Sequence, residues 1–124
     1  MTTIYQELLL AHYQNPKNYG RIAKPTKTIT VANPLCGDVM TMDIVVDGGK
    51  IKAIKFFGRG CVISRASGSL LTEFAKNKSQ KELLKLGRVF IIKLLGVELG
   101  VNRIKCAMLP LEALQKLLIS PKRR

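Results

Sequence analysis

Two β-branched segments on either side of Asp47, Gly48 and Gly49 constrain the fold more than any other feature of the sequence. Residues 40–46 and 50–57 are rich in valine, isoleucine and phenylalanine, which favour strands. An aspartate followed by glycine is typical of a short hairpin turn, because glycine adopts positive φ without strain. The pattern predicts an antiparallel hairpin, to which residues 28–32 add a third strand.

The predicted helices lie before and after these strands. A first helix is predicted over Ile4–Gln14 and a second over residues 62–76. A third begins at Ser79, where a glutamate three residues later completes a capping box. Pro110 is predicted in the first turn of the last helix. Early strands and late helices predict an α+β fold, a small three-stranded antiparallel sheet with helices packed on one face.

The length and the cysteine count indicate one cytoplasmic domain. A chain of 124 residues suits a single hydrophobic core, so we expect one domain over residues 1–124, with residues 119–124 as a frayed tail. Three cysteines do not resemble a secreted disulfide framework. No charged segment precedes an apolar stretch at the amino terminus, and the apolar runs are too short to span a membrane. We therefore expect reduced thiols and no membrane association.

The chain is strongly basic, with a formal net charge of +13. This charge favours association with an anionic partner, unless it reflects a generally basic proteome. The cationic residues are scattered through every segment, and the aromatic residues do not alternate with them as in a base-stacking platform. We therefore do not expect specific nucleic-acid binding.

Each of the three cysteines lies in a turn of small residues beside a regular element. Cys36 follows the first predicted strand, Cys61 lies between the third strand and the second helix, and Cys106 precedes the last helix. Such turns can converge at one end of the sheet. Because a structural cysteine normally lies in a hydrophobic run, we interpret the three as ligands of a metal ion or a small iron–sulfur cluster.

Asp38 is the predicted fourth ligand. It stands two residues after Cys36, so in an extended stretch both side chains point to the same side. A carboxylate exchanges more readily than a thiolate, which suits a site that releases what it binds. Asp38 could instead be a turn residue beside Gly37, since aspartate is common in turns. The nearby cysteines favour the ligand interpretation.

The surroundings of Cys61 favour a reactive thiol. A helix amino terminus presents N–H groups that stabilise a thiolate. Gly37, Gly58 and Gly60 are expected to adopt positive φ and to let the backbone approach a bound ion.

Three further polar residues are auxiliary candidates. Lys105 either stabilises the Cys106 thiolate or is an ordinary surface residue. Arg103 is expected to pair with Asp38 when the site is empty. His12 is expected at a helix end or facing a partner, because four ligands are already present.

Four segments carry a resemblance to a known family: Cys36-Gly37-Asp38, residues 58–67, Lys105-Cys106-Ala107 and residues 12–20. Together they resemble the iron–sulfur cluster assembly scaffold family of the IscU, SufU and NifU amino-terminal type, over most of the chain. The resemblance implies a SufE/NifU-like fold in which Cys36, Asp38, Cys61 and Cys106 bind zinc or a [2Fe–2S] cluster.

The resemblance also implies partners, namely a cysteine desulfurase that delivers sulfur as a persulfide and iron–sulfur recipient proteins. The sulfur acceptor would be Cys106 in a scaffold and Cys36 in the zinc-dependent sulfurtransfer branch. The motifs are closest in form to the SufU-like branch, because Lys105 stands where IscU proteins carry a histidine. The short interval between Cys61 and Cys106 instead matches IscU, since SufU proteins usually have an insertion there.

The function expected from the sequence is therefore a cluster assembly scaffold and sulfur acceptor. One alternative is a zinc-dependent sulfurtransferase of the SufU type without stable cluster assembly, and only this alternative would make the chain an enzyme. The other is a basic binding protein with a structural zinc that carries no sulfur.

Overall fold

A computed structural model describes residues 4–34 and 37–120 of the chain. The elements in chain order are α1 (Ile4–Gln14), β1 (Lys27–Asn33), β2 (Asp38–Asp47), β3 (Lys50–Arg59), α2 (Val62–Ala75), α3 (Gln80–Leu84), α4 (Arg88–Leu95) and α5 (Val101–Ile119). The three strands form one sheet in the order β1-β2-β3, with both neighbouring pairs antiparallel. The predicted α+β fold with a three-stranded antiparallel sheet is confirmed.

The hairpin of β2 and β3 forms as predicted. Gly48 and Gly49 both have positive φ, 61° and 76°, as a tight turn between antiparallel strands requires. Met42 lies opposite Phe56 in the register, and both side chains are buried. Because side chains alternate along a strand, one face of the hairpin supplies the core.

Helices α2 and α5 cover this face of the sheet. Helix α5 contacts β1 and β2, and α2 contacts β3. A Cβ atom placed on Gly68 of α2 would come within 2.8 Å of the Phe56 ring, so the missing side chain sets the close approach of the helix to the sheet. The largest fully buried side chains come from both layers and include Phe56, Met42, Ile44, Leu71, Leu111 and Leu114.

The helix predicted to begin at Ser79 is two helices. The capping box itself is confirmed, since the Ser79 hydroxyl accepts a hydrogen bond from the Glu82 N–H at 3.2 Å. Helix α3 ends at Leu84, and α4 begins after Gly87, whose backbone is extended. Glycine favours this break because it loses more conformational entropy in a helix than any other residue.

The last helix begins earlier than predicted. Helix α5 starts after Gly100, so Cys106 and Pro110 both lie inside it. The predictions that Cys106 precedes this helix and that Pro110 opens it were wrong. Proline prefers the first helical turn because inside a helix it removes one hydrogen bond and its ring crowds the carbonyl group four residues earlier. Burial of Pro110 in the core offsets part of this cost.

Helix α5 ends at Ile119, and the Ser120 hydroxyl donates to the Leu117 carbonyl at 2.8 Å. Residues 121–124 lie outside the described part of the chain, so the frayed tail expected at this end stays a prediction.

A buried carboxylate fixes the segment before β1 to the sheet. Asp43 is fully buried, its Oδ2 lies 2.7 Å from Arg21 Nε, and the Ile22 N–H donates to the same oxygen at 2.9 Å. Burial alone would raise the pKa of Asp43, but the hydrogen bonds from Arg21, Thr28 and Ile22 outweigh it, so the pKa lies below its usual value.

Across residues 4–34 and 37–120, none of the helices is both long and apolar enough to cross a membrane.

Candidate metal centre

Asp38 is the first residue of β2 and faces the helices. It is 4% exposed, and its Oδ2 is the only buried side-chain oxygen or nitrogen among the described residues that has no hydrogen-bond partner. A buried polar atom in that state costs about 1–3 kcal/mol, and more when charged. Such an atom points to a ligand from outside the chain, and a carboxylate oxygen selects a cation.

Cys61 caps the amino terminus of α2, as its predicted place between β3 and the second helix required. Its Sγ accepts a hydrogen bond from the Ser64 N–H at 3.5 Å and lies 3.7 Å from Ser64 Oγ. The sulfur therefore occupies the position of an N-cap oxygen, where the positive end of the helix dipole favours negative charge.

Two glycines shape the turn that leads to Cys61. Gly58 has φ of +143°, and a Cβ atom there would lie 2.2 Å from the Val39 carbonyl oxygen. A Cβ atom on Gly60 would lie 2.4 Å from Ser64 Oγ. Positive φ is confirmed for Gly37 and Gly58 but was wrong for Gly60, which is needed for the close approach to Ser64 instead.

Cys106 lies in the second turn of α5 and is 5% exposed. The residue beside it is held by α2, because the buried Ser67 hydroxyl donates to the Ala107 carbonyl at 2.7 Å. This bond fixes the helix that carries Cys61 relative to the helix that carries Cys106.

The fold brings three of the four predicted ligands together. A carboxylate oxygen of Asp38 and the Sγ atoms of Cys61 and Cys106 all lie within 4.8 Å of one another. They come from a strand end, a helix cap and a helix interior, so only the tertiary fold assembles them. Two thiols and a carboxylate suit zinc or an iron–sulfur cluster, because both accept soft sulfur ligands with a harder oxygen.

Cys36 lies outside the described residues, so its role as the fourth ligand stays a prediction. It is separated from Asp38 only by Gly37, whose φ is +72°. Gly37 directly follows Cys36 in the sequence, and its left-handed conformation is one that a tight turn requires.

An open cavity of about 650 Å³ gives access to the two thiols. It is lined by Tyr13, Asn33, Cys61, Val62, Asn102, Arg103 and Cys106. The apolar part of this lining, including the exposed Val62, lies beside the sulfur atoms. A loop from another protein could therefore reach the thiols without unfolding this domain.

The auxiliary residues lie differently from the predictions. Arg103 is exposed at the rim of this cavity, and no ion pair joins it to Asp38, both being within the described residues. The predicted pairing is therefore wrong. Lys105 does not line the cavity with the thiols; it lines a separate cavity of about 380 Å³ on another side of α5.

His12 lies away from the thiols. Its Nδ1 is hydrogen-bonded to Ser69 Oγ of α2 at 2.5 Å, and the same hydroxyl accepts from the Lys17 N–H at 2.7 Å. Burial, followed by the charge of Lys17, lowers the pKa of His12 below its usual value. A neutral histidine joined to α2 has the helix-end role that the sequence favoured over metal binding.

Tyr13, Asn33 and Asn102 line the cavity but were not predicted as site residues. Tyr13 lies in the segment of residues 12–20 that resembles the family signature, and this is the one signal that could have indicated it. The two asparagines have no local pattern that separates them from ordinary loop and surface residues.

Comparison with protein families gives a match to the NifU-like N terminal domain over residues 4–124. Among curated proteins, iron–sulfur cluster assembly scaffold protein IscU 1 of Archaeoglobus fulgidus is 37% identical over 116 residues, covering 94% of this chain and 75% of that protein. The zinc-dependent sulfurtransferase SufU of Bacillus subtilis is 32% identical over 133 residues, covering 94% of this chain and 90% of that protein.

Solved structures share the fold. The putative scaffold protein for the SUF system from Fervidobacterium islandicum AW-1 superposes with a TM-score of 0.81 at 28% identity, covering 90% of this chain and 94% of that one. The amino-terminal part of a NifU-like protein from Brucella abortus has a TM-score of 0.76 at 19% identity, covering 93% and 92%. The second similarity concerns the fold alone.

Proposed function

Because the chain belongs to the family of the NifU-like N-terminal domain, with IscU and SufU relatives, we propose that it is a cytoplasmic iron–sulfur cluster assembly scaffold and sulfur acceptor. The proposed ligands are Cys36, Asp38, Cys61 and Cys106. The proposed partners are a cysteine desulfurase as sulfur donor and apoproteins as cluster recipients.

The observation that carries this proposal is the convergence of two thiols with the partnerless Oδ2 of Asp38. A structural zinc site is normally closed by four sulfur or nitrogen ligands. Here a carboxylate oxygen takes part, and a cavity opens on Cys61 and Cys106. An exchangeable ligand beside an open cavity supports a site that takes up and releases its cargo.

The sulfur transfer step is a thiol–disulfide exchange. A thiolate of this chain attacks the outer sulfur of the donor's persulfide, a new S–S bond forms, and the donor cysteine leaves as a thiolate. In the scaffold interpretation Cys106 is the acceptor. Each transferred sulfur needs two electrons to become sulfide, so an external dithiol or electron carrier must supply them, and ferrous iron is the second substrate.

The residues of this chain prepare the thiols for that step. The Ser64 N–H at 3.5 Å favours negative charge on Cys61 Sγ. The cavity is open and is lined in part by Cys106, so a donor has an approach to this thiol. Asp38 would hold iron together with the thiols, and a carboxylate would be more readily exchanged than a thiolate.

A second candidate function is zinc-dependent sulfur transfer, in which zinc holds the thiols as thiolates and Cys36 is the acceptor. Lys105 in place of histidine and the likeness to the Bacillus protein support it. The alignment lengths support the scaffold. The alignment with the archaeal IscU spans 116 residues, whereas the alignment with the Bacillus protein spans 133 residues for the same 94% of this chain. The chain therefore has the shorter arrangement.

The deciding experiment measures metal and acid-labile sulfide in untagged protein purified without oxygen, before and after incubation with cysteine desulfurase, cysteine, ferrous iron and dithiothreitol. We expect visible absorbance of a cluster with about equal iron and sulfide. Cys36→Ser, Cys61→Ser, Cys106→Ser and Asp38→Ala should each reduce the yield, and Asp47→Ala, which removes an exposed carboxylate at the far end of β2, should not.

The other outcomes separate the alternatives. Tightly bound zinc with no sulfide, together with persulfide on Cys36, would favour the sulfurtransferase. Zinc whose removal unfolds the chain, without any sulfur uptake, would favour a structural site in a basic binding protein. Wild-type protein that binds neither metal nor sulfur would refute all three.

A further inference from the structure

The side chains of Tyr19 and Arg65, which come from outside the turn of residues 58–61, form contacts around the turn that carries Cys61. Tyr19 follows α1, and its hydroxyl donates to the Gly58 carbonyl at 2.9 Å and accepts from the Gly58 N–H at 3.4 Å. One hydroxyl thus binds both backbone groups of Gly58, the next-to-last residue of β3. Because φ of Gly58 is +143°, the backbone conformation there is one that few other residues adopt.

Tyr19 is itself fixed to the sheet edge. The residues on either side of it bond to Phe56 of β3, since the Phe56 N–H donates to the Asn18 carbonyl at 3.0 Å and the Gly20 N–H donates to the Phe56 carbonyl at 2.8 Å. The Tyr19 ring packs edge-on against the Phe56 ring, with centroids 5.3 Å apart. The hydrogen bonds therefore fix the backbone at Tyr19 beside β3, and the contact with the Phe56 ring favours the side-chain conformation that reaches Gly58.

Arg65 also contacts the Tyr19 ring. Its Cζ lies 4.6 Å from the centre of the Tyr19 ring, within the range of a cation–π interaction. Its Nε donates to the Tyr13 carbonyl at 3.2 Å, and Tyr13 lines the thiol cavity. Arg65 also lies one helical turn after Cys61, and its N–H donates to the Cys61 carbonyl at 3.0 Å.

These contacts form a closed set: Cys61 contacts Arg65, Arg65 contacts Tyr19, Tyr19 contacts Gly58, and the turn of residues 58–61 leads back to Cys61. We propose that Tyr19 and Arg65 are positioning residues that hold Cys61 Sγ within reach of the other ligands. This inference rests on the proposed metal centre. Tyr19 is partly buried and packs against the core, so the test must remove its hydroxyl and keep its ring; loss of the hydroxyl alone should affect the turn that carries Cys61 more than the fold.

The test uses the full chain with two variants. Tyr19→Phe keeps the aromatic contact with Phe56 and removes the hydroxyl, and Arg65→Met keeps an unbranched apolar stem and removes the guanidinium group. The matched control is Thr30→Val, which removes one hydroxyl hydrogen bond of 2.8 Å to Thr41 away from the thiols. The two measurements are hydrogen–deuterium exchange over residues 58–65 of metal-free protein and zinc affinity by competition with a chromophoric chelator.

We expect both variants to exchange about fivefold faster over residues 58–65 and to bind zinc about tenfold more weakly, as is typical when a residue that orients a ligand is lost. Either substitution interrupts the same closed set of contacts. The double variant should therefore bind zinc no more weakly than the weaker of the two single variants. The control should match wild type in both measurements.

Three results would overturn the inference: unchanged exchange in both variants, faster exchange with unchanged zinc affinity, or losses that simply multiply in the double variant. If wild type binds no zinc, the proposed metal centre fails. The exchange measurement would then still decide whether Tyr19 and Arg65 hold the turn.

Discussion

Replacing Asp38 by alanine should reverse the order of stability between wild type and variant, depending on whether zinc is present. In the metal-free chain, the variant loses a buried oxygen that has no partner, which relieves about 1–3 kcal/mol. The loss of the other side-chain contacts of Asp38 offsets roughly 0.5–1 kcal/mol of this gain. The variant should therefore be more stable by about 1–2 kcal/mol, or roughly 4–8 °C in Tm for a chain of this size.

With zinc the order should reverse. A ligand at a hundred times its Kd stabilises the protein that binds it by about 2.7 kcal/mol. Wild type should gain this amount, while the variant, which lacks one of the ligands, should gain little at the same zinc concentration. The order reverses because Asp38 Oδ2 destabilises the metal-free protein, where it is buried without a hydrogen-bond partner, and would bind the zinc ion when zinc is present.

Calorimetry or urea unfolding of both proteins, with a chelator and with zinc, measures all four free energies of unfolding. The control is Asp47→Ala, whose carboxylate is exposed; it should leave the response to zinc unchanged. A metal-free Asp38→Ala protein that is less stable than wild type would refute the reasoning, because it would mean that the Asp38 carboxylate stabilises the empty site.

Three further predictions follow from described contacts. Gly60→Ala should destabilise the chain by about 1–3 kcal/mol because its Cβ meets Ser64 Oγ, and adding Ser64→Ala should recover part of the loss in urea unfolding. Gly68→Ala should cost a similar amount against the Phe56 ring, without changing zinc affinity per folded molecule. The lowered pKa of Asp43 means that its contribution is full above its unfolded pKa and is lost as pH falls through the folded value. Asp43→Asn should therefore be less stable at pH 7 and show a flatter decline in acid, and equal slopes for both proteins would contradict this.

The sheet was predictable because its determinants are local. The hairpin depends on two glycines at positive φ between β-branched segments, and the strands β2 and β3 follow from it. The first two helices were predicted almost to the residue for the same reason, since Pro16 follows the end of α1 and the glycine-rich turn of residues 58–60 precedes the start of α2.

The last helix was mispredicted because its start depends on tertiary packing. Nothing local distinguishes Pro110 at a first turn from Pro110 inside α5. Pro110 lies inside the helix because it is buried on the core side of α5. That burial depends on packing against β1 and β2, which are distant in sequence.

The three residues that converge at the candidate metal centre were singled out from the sequence, but the positions of their neighbours were not. Cys106 and Lys105 are adjacent in sequence, yet successive residues of a helix point about 100° apart, so the lysine faces another cavity. Arg103 was expected beside Asp38 on the basis of charge alone. The Tyr19–Arg65 contact could not be foreseen, since it joins residues from separate elements.

Pro110 interrupts the backbone hydrogen bonding of α5 near its middle. Proline has no N–H, so the helical hydrogen bond between residue 110 and the Cys106 carbonyl cannot form. After Pro110, Leu111 and Leu114 are fully buried in the core, whereas Val101, Asn102, Arg103 and Lys105 in the first part of the helix are exposed. Cys106 thus lies at the boundary between the exposed start of α5 and its buried remainder, where the Ser67–Ala107 hydrogen bond holds the helix against α2. Substitutions in the exposed start of α5 should therefore change the surface beside the thiol and leave the core packing unchanged.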